Sequence, residues 1–397
     1  MCDKKIKILM VCESFGGGVF SYLTQLCNDL CEMFDIYLAY SVRKQTPENY
    51  DLLLDSKIHL IQMKNVSSKA VFSPIHFFRA VTELKKIANK VNPDIIHLHS
   101  SIAGGLGRIA FSNKNFRVIY TPHGFAHILL GNNIKSYFYY FIEKLLGNRA
   151  LTLTCCESEN VEAKKFSKNT YYIETGVNVS LLSSFVSDIK YNKNKKFTVF
   201  SLGRACVQKQ PQIFNQIATL VPEADFIWIG GGELENVLTA PNIKVTGWLS
   251  RKDALRIAME ADAFILCSLG EAIAMSLVEN MFIKKLILVS NAIGNKSVIK
   301  NNVNGYVCSS AEAYAEHIKN AMREFPYTLT QNAYSDVMKI YNTEVMKKKF
   351  ISFYKNLCTD KNLSINNFVK GGGVILTLSC SNLDFSSEQS HFYLEVA

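Results

Sequence analysis

Apolar positions along the chain gather into short, near-continuous runs, separated by longer stretches with helical spacing. In the first half the runs are 5–12 (KIKILMVC), 35–40 (DIYLAY), 58–63 (IHLIQM), 94–99 (DIIHLH), 117–121 (RVIYT) and 151–156 (LTLTCC). Runs that are apolar at successive positions suit parallel strands covered on both faces. SYLTQLCNDLCEMF follows the first run and PIHFFRAVTELKKIANKV precedes the fourth, each with the apolar spacing of an amphipathic helix. The alternation predicts a doubly wound α/β domain.

The order then repeats. FTVFSLG (197–203), DFIWIGGG (225–232), IKVTGW (243–248), DAFILCS (262–268) and LILVSN (286–291) predict a second unit of the same kind. Between the halves, SLLSSFVSDIKYNKNKKF is polar, basic and poor in apolar periodicity, which places the boundary near 180–196. The expected layout is an N-terminal Rossmann-like domain over 1–185 and a C-terminal one over 195–342. A lysine-rich amphipathic helix follows over 343–358, and then a tail, 359–397, which breaks the rhythm and is assigned to neither domain. Two such domains enclose a cleft between the carboxyl ends of their strands, and ligand-binding residues should lie just after strands.

Composition narrows the class. The chain has 397 residues, enough for two ordinary domains, and its 48% hydrophobic and 20% charged content is that of a packed globular protein. A net charge of +10 suits anionic partners such as nucleotide diphosphates or phospholipid headgroups. The 11 cysteines show no C-x-x-C spacing, so a reduced, cytosolic setting is the simplest reading. The apolar run at the N-terminus is too short for a membrane span and lacks a small-residue cleavage site. The stretch 264–283 contains Glu271 and Glu279 and is not read as a span either. The expectation is a soluble protein or one resting on a membrane surface.

Four features after strands carry candidate chemistry. Gly16-Gly17-Gly18 follows the first strand and opens a helix, where backbone N–H groups can approach an anion, or where the glycines serve a tight turn. Gly203-Arg204 follows 197–202, with Lys209 five residues on; an arginine fork and a lysine converging on one spot would neutralise a diphosphate. Glu271 lies in the loop after 262–268, ahead of a helix that starts near Ala274–Ser276, and Glu279 sits about one turn inside it, where a carboxylate can accept from a ribose diol. His123, in TPHGF, ends the fifth strand and can face the cleft. His97 and His99 share one face of a strand and are read as structural, since no further metal ligand is evident; His127 gives no metal signal.

Together, and in this order, these features resemble the retaining glycosyltransferases of family 4, which have the GT-B fold. The resemblance covers about residues 5–357. Its most specific parts are GRACVQK (203–209) and EAIAMSLVE (271–279), which look like the family's G-R-x4-K and E-x7-E motifs. PDIIHLHSS, YTPHGF, CESE (156–159) and ETGVN (174–178) look like its other landmarks. The resemblance implies that Arg204 and Lys209 bind the donor diphosphate, that Glu279 holds the ribose, and that the backbone from Ala272 through Ala274, Met275 and Ser276 cradles the distal phosphate. It implies that Glu271 contacts the transferred sugar, that His123 hydrogen-bonds it or supports developing charge, and that Gly247-Trp248-Leu249 packs around the nucleobase. Gly17 and Gly18 belong to the same donor side. Ala272 and Ala274 stand where the family usually has glycine, and Gln210 where it often has glycine after the lysine.

The implied reaction moves a sugar from a nucleotide-sugar, read as a UDP-sugar, to a hydroxyl of a glycan or lipid-linked saccharide in O-antigen or capsule biosynthesis. No D-x-D motif occurs, so neither a metal nor another cofactor is expected. Phe77, Phe78 and the lysines of 74–91, with the aromatic stretch 136–146, are read either as plain core or as a peripheral contact with an anionic membrane at the inner face of the plasma membrane. No basic helix with interleaved aromatics points to nucleic acid. Two alternatives stay open: a nucleotide-sugar epimerase or hydrolase of the same fold, and a non-catalytic transferase-like partner subunit.

Overall fold

The computed structural model describes residues 5–111, 116–131, 134–190 and 196–359, apart from the side chain of Phe72. The tail beyond 359, and 191–195 within the expected boundary stretch, lie outside the described residues. Among the described residues, two parallel sheets carry the fold. The first contains β1 (Lys7–Cys12), β2 (Asp35–Tyr40), β3 (His59–Gln62), β4 (Ile95–His99), β5 (Arg117–Thr121), β6 (Leu151–Thr154) and β7 (Thr170–Tyr172), in the order β3-β2-β1-β4-β5-β6-β7. The second contains β8 (Thr198–Leu202), β9 (Asp225–Ile229), β10 (Ile243–Val245), β11 (Ala263–Leu266), β12 (Leu286–Ser290) and β13 (Tyr306–Cys308), in the order β10-β9-β8-β11-β12-β13.

Helices cover both faces of each sheet. In the first domain β1 and β4 are almost wholly buried, as their apolar runs require, with Leu9, Val11, Ile96 and Leu98 packed toward one face and Ile8, Met10 and Ile95 toward the other. The chain reverses direction across each sheet between β1 and β4, and between β8 and β11. These are the two switch points where loops diverge and leave a crevice. The glycine run after β1, the arginine loop after β8 and the glutamate loop after β11 all open onto them.

Two features depart from the sequence expectation. Val179–Asp188, inside the polar boundary stretch, is a helix, capped by the Asn178 side chain accepting from Leu181 N at 2.9 Å, with Leu182 buried against the second domain. The C-terminal helix, Thr343–Thr359, crosses back to the first domain. Met346, Phe350, Phe353, Tyr354 and Leu357 join the core around β1, β2 and the helix Gly17–Leu30. The first domain is therefore completed by residues from the far end of the chain.

The domains meet along a seam beside the cleft. Cys156 Sγ donates to Ala272 O at 3.2 Å, and Ser158 Oγ accepts from Gly294 N at 2.9 Å. A Cβ on Gly270 would stand 2.5 Å from the Ile128 side chain, so a larger residue there would force Ile128 to shift where the second domain's loop approaches the helix Ala126–Leu129.

Candidate active site

The second-domain crevice is built from three loops. After β8, Gly203 adopts φ +147, and Gly230 packs on it so tightly that a Cβ would meet Gly203 O at 2.3 Å. This packing lifts Arg204 into solvent, where among the described residues it has no carboxylate partner. The turn Val207–Lys209 then brings Lys209 back over Gly203, and its Nζ donates to Glu271 Oε1 at 2.5 Å. Both side chains of this pair are largely buried. After β11, the chain reaches the helix Met275–Phe282, capped only by the extended Ala274. Leu277 N and Val278 N turn back to Ala274 O, which leaves the preceding N–H groups of the helix start directed outward, with the positive end of the dipole.

One turn inside that helix, Glu279 is mostly buried, and Oε1 accepts from Arg251 Nη2 at 2.6 Å. Burial raises its pKa, with Arg251 pulling in the other direction. Trp248 stands 71% exposed at the rim, beside Gly231. Leu249 next to it is also exposed.

The first-domain crevice is different in kind. Gly17 and Gly18 are exposed at the start of the helix Gly17–Leu30, with Gly17 at φ +55 and no atom within 4 Å of where either Cβ would stand. Across from them, His123 sits at φ +55, a left-handed conformation that a histidine adopts at a cost of about 1 kcal/mol or more. Its Nε2 lies 3.0 Å from His99 Nδ1, its Nδ1 3.7 Å from Cys155 Sγ, and its ring meets Tyr22 edge-on. His97 bridges Thr121 Oγ1 at 2.8 Å and Tyr354 Oη at 2.7 Å. Desolvation lowers all three histidine pKa values, that of His123 to about 3, so the cluster is neutral near pH 7.

Glu159 holds the loop in place. It is fully buried and accepts from Gly124 N at 2.7 Å and from Cys155 N at 2.9 Å, joining the ends of β5 and β6. Burial raises its pKa to about 7. Glu13, also buried at the end of β1, accepts from Ala103 N at 2.9 Å and from Ser100 Oγ, which ties together the two loops of that switch point.

Two facing crevices of this construction agree with the comparisons. Residues 16–181 match the family described as Glycosyltransferase Family 4, and residues 186–335 match Glycosyl transferases group 1. The chain is a family 4 glycosyltransferase with the GT-B fold.

A similar curated protein is the Escherichia coli UDP-Gal:alpha-D-GlcNAc-diphosphoundecaprenol alpha-1,3-galactosyltransferase, 29% identical over 264 residues, which are 59% of this chain and 67% of that protein. Among solved structures, sucrose-phosphate synthase from Thermosynechococcus elongatus superposes with a TM-score of 0.75 at 15% identity, covering 89% of this chain and 99% of that one. Anabaena Alr3699/HepE, solved with UDP and glucose, superposes with a TM-score of 0.70 at 16% identity, covering 88% and 100%.

Within this transferase, the fold brings Arg204, Lys209, Glu271 and the start of the helix Met275–Phe282 to one switch point, and His123 with Gly17 and Gly18 to the other. Sequence reasoning treated Lys209 and Glu271 separately; the structure joins them. It also missed Arg251, whose bond to Glu279 spans 28 residues, and Glu159, which had been noted only within CESE. His127 lies away from the histidine cluster, its Nε2 3.3 Å from Glu162. Among the described residues no group of three or more His, Cys, Asp or Glu side chains is placed to hold a metal ion, and no helix is long and apolar enough to cross a membrane.

Proposed function

We propose that this glycosyltransferase moves a sugar from a UDP-sugar to a hydroxyl of a lipid-linked saccharide, with retention of configuration and without a metal ion, in the assembly of an O-antigen or capsule-type polysaccharide. The observation that carries this reading is the meeting of Arg204, which has no carboxylate partner among the described residues, the Lys209–Glu271 pair and an open helix start at one switch point. The bond from the anomeric carbon to the diphosphate oxygen breaks and a bond from that carbon to the acceptor oxygen forms. The acceptor proton passes to the leaving phosphate. Negative charge grows on the phosphate, where Arg204, Lys209 and the helix dipole would stabilise it. Neutral His123 is suited to hydrogen-bond a sugar hydroxyl, and Glu279 to accept from the ribose. Uridine and a lipid diphosphate are suggested by the name of the E. coli relative.

A membrane surface fits the same reading. The helix Ile134–Leu146 exposes Ile134, Phe138, Phe141 and Leu145, and the helix Pro74–Val91 exposes Ile75 and Phe78 beside Arg79, Lys85 and Lys86. Such aromatic and basic faces suit an anionic bilayer at the cytoplasmic side. Phe138→Ser with Phe141→Ser should reduce co-sedimentation with vesicles containing anionic lipid; unchanged sedimentation would remove the membrane part of the proposal.

The enzymatic test is to incubate the protein with UDP-galactose, UDP-glucose or UDP-N-acetylglucosamine and an undecaprenyl-diphosphate-linked saccharide, in EDTA. UDP release with an α-linked product, read from the anomeric proton coupling, is expected. A β-linked product would refute retention, and dependence on added Mg²⁺ would refute metal independence. Release of free sugar with no acceptor product would favour the hydrolase alternative.

A further inference from the structure

Arg251 starts the helix Arg251–Glu260, next to the exposed rim at Trp248 and Leu249. Its guanidinium lies 5.5 Å from the centre of the Phe185 ring, on the helix that leads out of the first domain, and donates to Glu279 Oε1 at 2.6 Å. Glu279 Oε2 makes no hydrogen bond among the described residues, although the carboxylate is mostly buried. A carboxylate offers about four acceptor sites, so one bond from Arg251 leaves room for both hydroxyls of a cis-diol. A buried carboxylate without a charged partner protonates, and a protonated one no longer accepts well from a diol.

We propose that Arg251 is a positioning residue of the donor site, fixing the Glu279 carboxylate that reads the 2′- and 3′-hydroxyls of the donor nucleotide. This rests on the ribose reading of Glu279 given above. Phe185 packs beside the guanidinium, which restrains the arginine that holds Glu279. Lys would supply the charge but not the planar fork, and is a graded probe of the two contributions.

Arg251 is the charged group that faces Glu279 among the described residues; burial is the other influence on it. Burial raises the pKa of this acid and Arg251 lowers it. Without Arg251 the carboxylate protonates at a higher pH, so affinity is lost earlier as pH falls.

The test is calorimetric titration of the full chain with whichever of UDP, GDP and ADP binds best, and with its 2′-deoxy form, at pH 8, 7 and 6. Wild type should prefer the ribonucleotide at least tenfold. Arg251→Ala should weaken the ribonucleotide about tenfold at pH 7, more at pH 6 and less at pH 8, with little change for the 2′-deoxy form; Arg251→Lys should lie between. In a Glu279→Gln background, Arg251→Ala should have no further effect. If Glu279→Gln removes the ribose preference but Arg251→Ala keeps wild-type affinity and pH dependence, the Arg251 proposal fails while the ribose reading stands. If Glu279→Gln keeps the ribose preference, or wild type binds none of the three nucleotides, both fail.

Discussion

The two switch-point crevices face one cleft with opposite chemistry. The second-domain crevice is made of charges that are paired or free: Arg204, Lys209 with Glu271, and Arg251 with Glu279. The first-domain crevice presents three histidines whose pKa values burial has lowered, beside glycines with open space around them, and its carboxylates Glu13 and Glu159 are buried and spent on loop N–H groups. A polyanion is favoured in the first environment, whereas neutral hydroxyls can be oriented in the second without competing with a charge. On the proposed function, two domains of one topology would divide the transfer into an electrostatic half and a hydrogen-bonding half.

The largest expected effect comes from breaking the pair that anchors the charged half. On the proposed function, Lys209→Ala would remove a charge-assisted contact to the leaving group, worth roughly 1.5–3 kcal/mol, or about 10- to 100-fold in turnover. It also strands Glu271, a largely buried carboxylate, so the thermal midpoint should fall. Glu271→Gln in the Lys209→Ala background should recover stability but not turnover. Recovery of both, measured by calorimetry and UDP release, would show that the pair is structural.

Protonation sharpens the other half. A histidine with pKa about 6.5 in the unfolded chain and about 3 at His123 makes the fold lose stability as pH falls below about 6.5, at about 1.4 kcal/mol per pH unit. His123→Gln should flatten that acid slope by this amount. Glu159 works in the opposite direction: with its pKa raised to about 7, it costs stability as pH rises from about 4.5 to 7. Glu159→Gln should therefore remove that decline across the whole interval. Denaturant titrations of the three proteins between pH 5 and 8 check both signs; parallel curves would mean that neither group titrates as described.

The crevices were legible in the sequence to different degrees. Continuous apolar runs marked β1, β4, β8 and β11, because a strand covered on both faces has no polar side to hide. Strand ends then located Arg204, Glu271 and His123 without any knowledge of contacts. The three-residue strands β7 and β13 were not read, while the equally short β10 was, because its Ile243 and Val245 stand in a longer run that ends on Gly247 and Trp248. The helix Val179–Asp188 was read as linker because its serines mask an apolar stripe that only the second domain's surface defines. Pairings across long separations were also invisible: Lys209 with Glu271 over 62 residues, and His97 with Tyr354 over 257. Spacing within one segment says nothing about which loops a fold brings together.

That last pairing yields a smaller prediction. Tyr354→Phe removes the hydroxyl that meets His97 while keeping the ring in the core, and should cost about 1 kcal/mol in stability. A loss several times larger would indicate that the C-terminal helix depends on the histidine cluster. Trp248→Ala should change stability by no more than about 0.5 kcal/mol, since the ring is mostly exposed, while donor affinity falls roughly fivefold through lost stacking. Unchanged affinity in nucleotide titration would remove Trp248 from the donor site.

The division between a charged and a neutral half is tested most directly at Arg204, which is exposed and among the described residues has no carboxylate partner to lose. Turnover of nucleotide-sugar and donor affinity should be measured side by side for wild type and Arg204→Ala, with melting curves to show that both are folded. The account predicts that turnover falls at least tenfold and by more than affinity does, because charge on the leaving diphosphate grows toward the transition state. Wild-type turnover by a folded Arg204→Ala protein would contradict it.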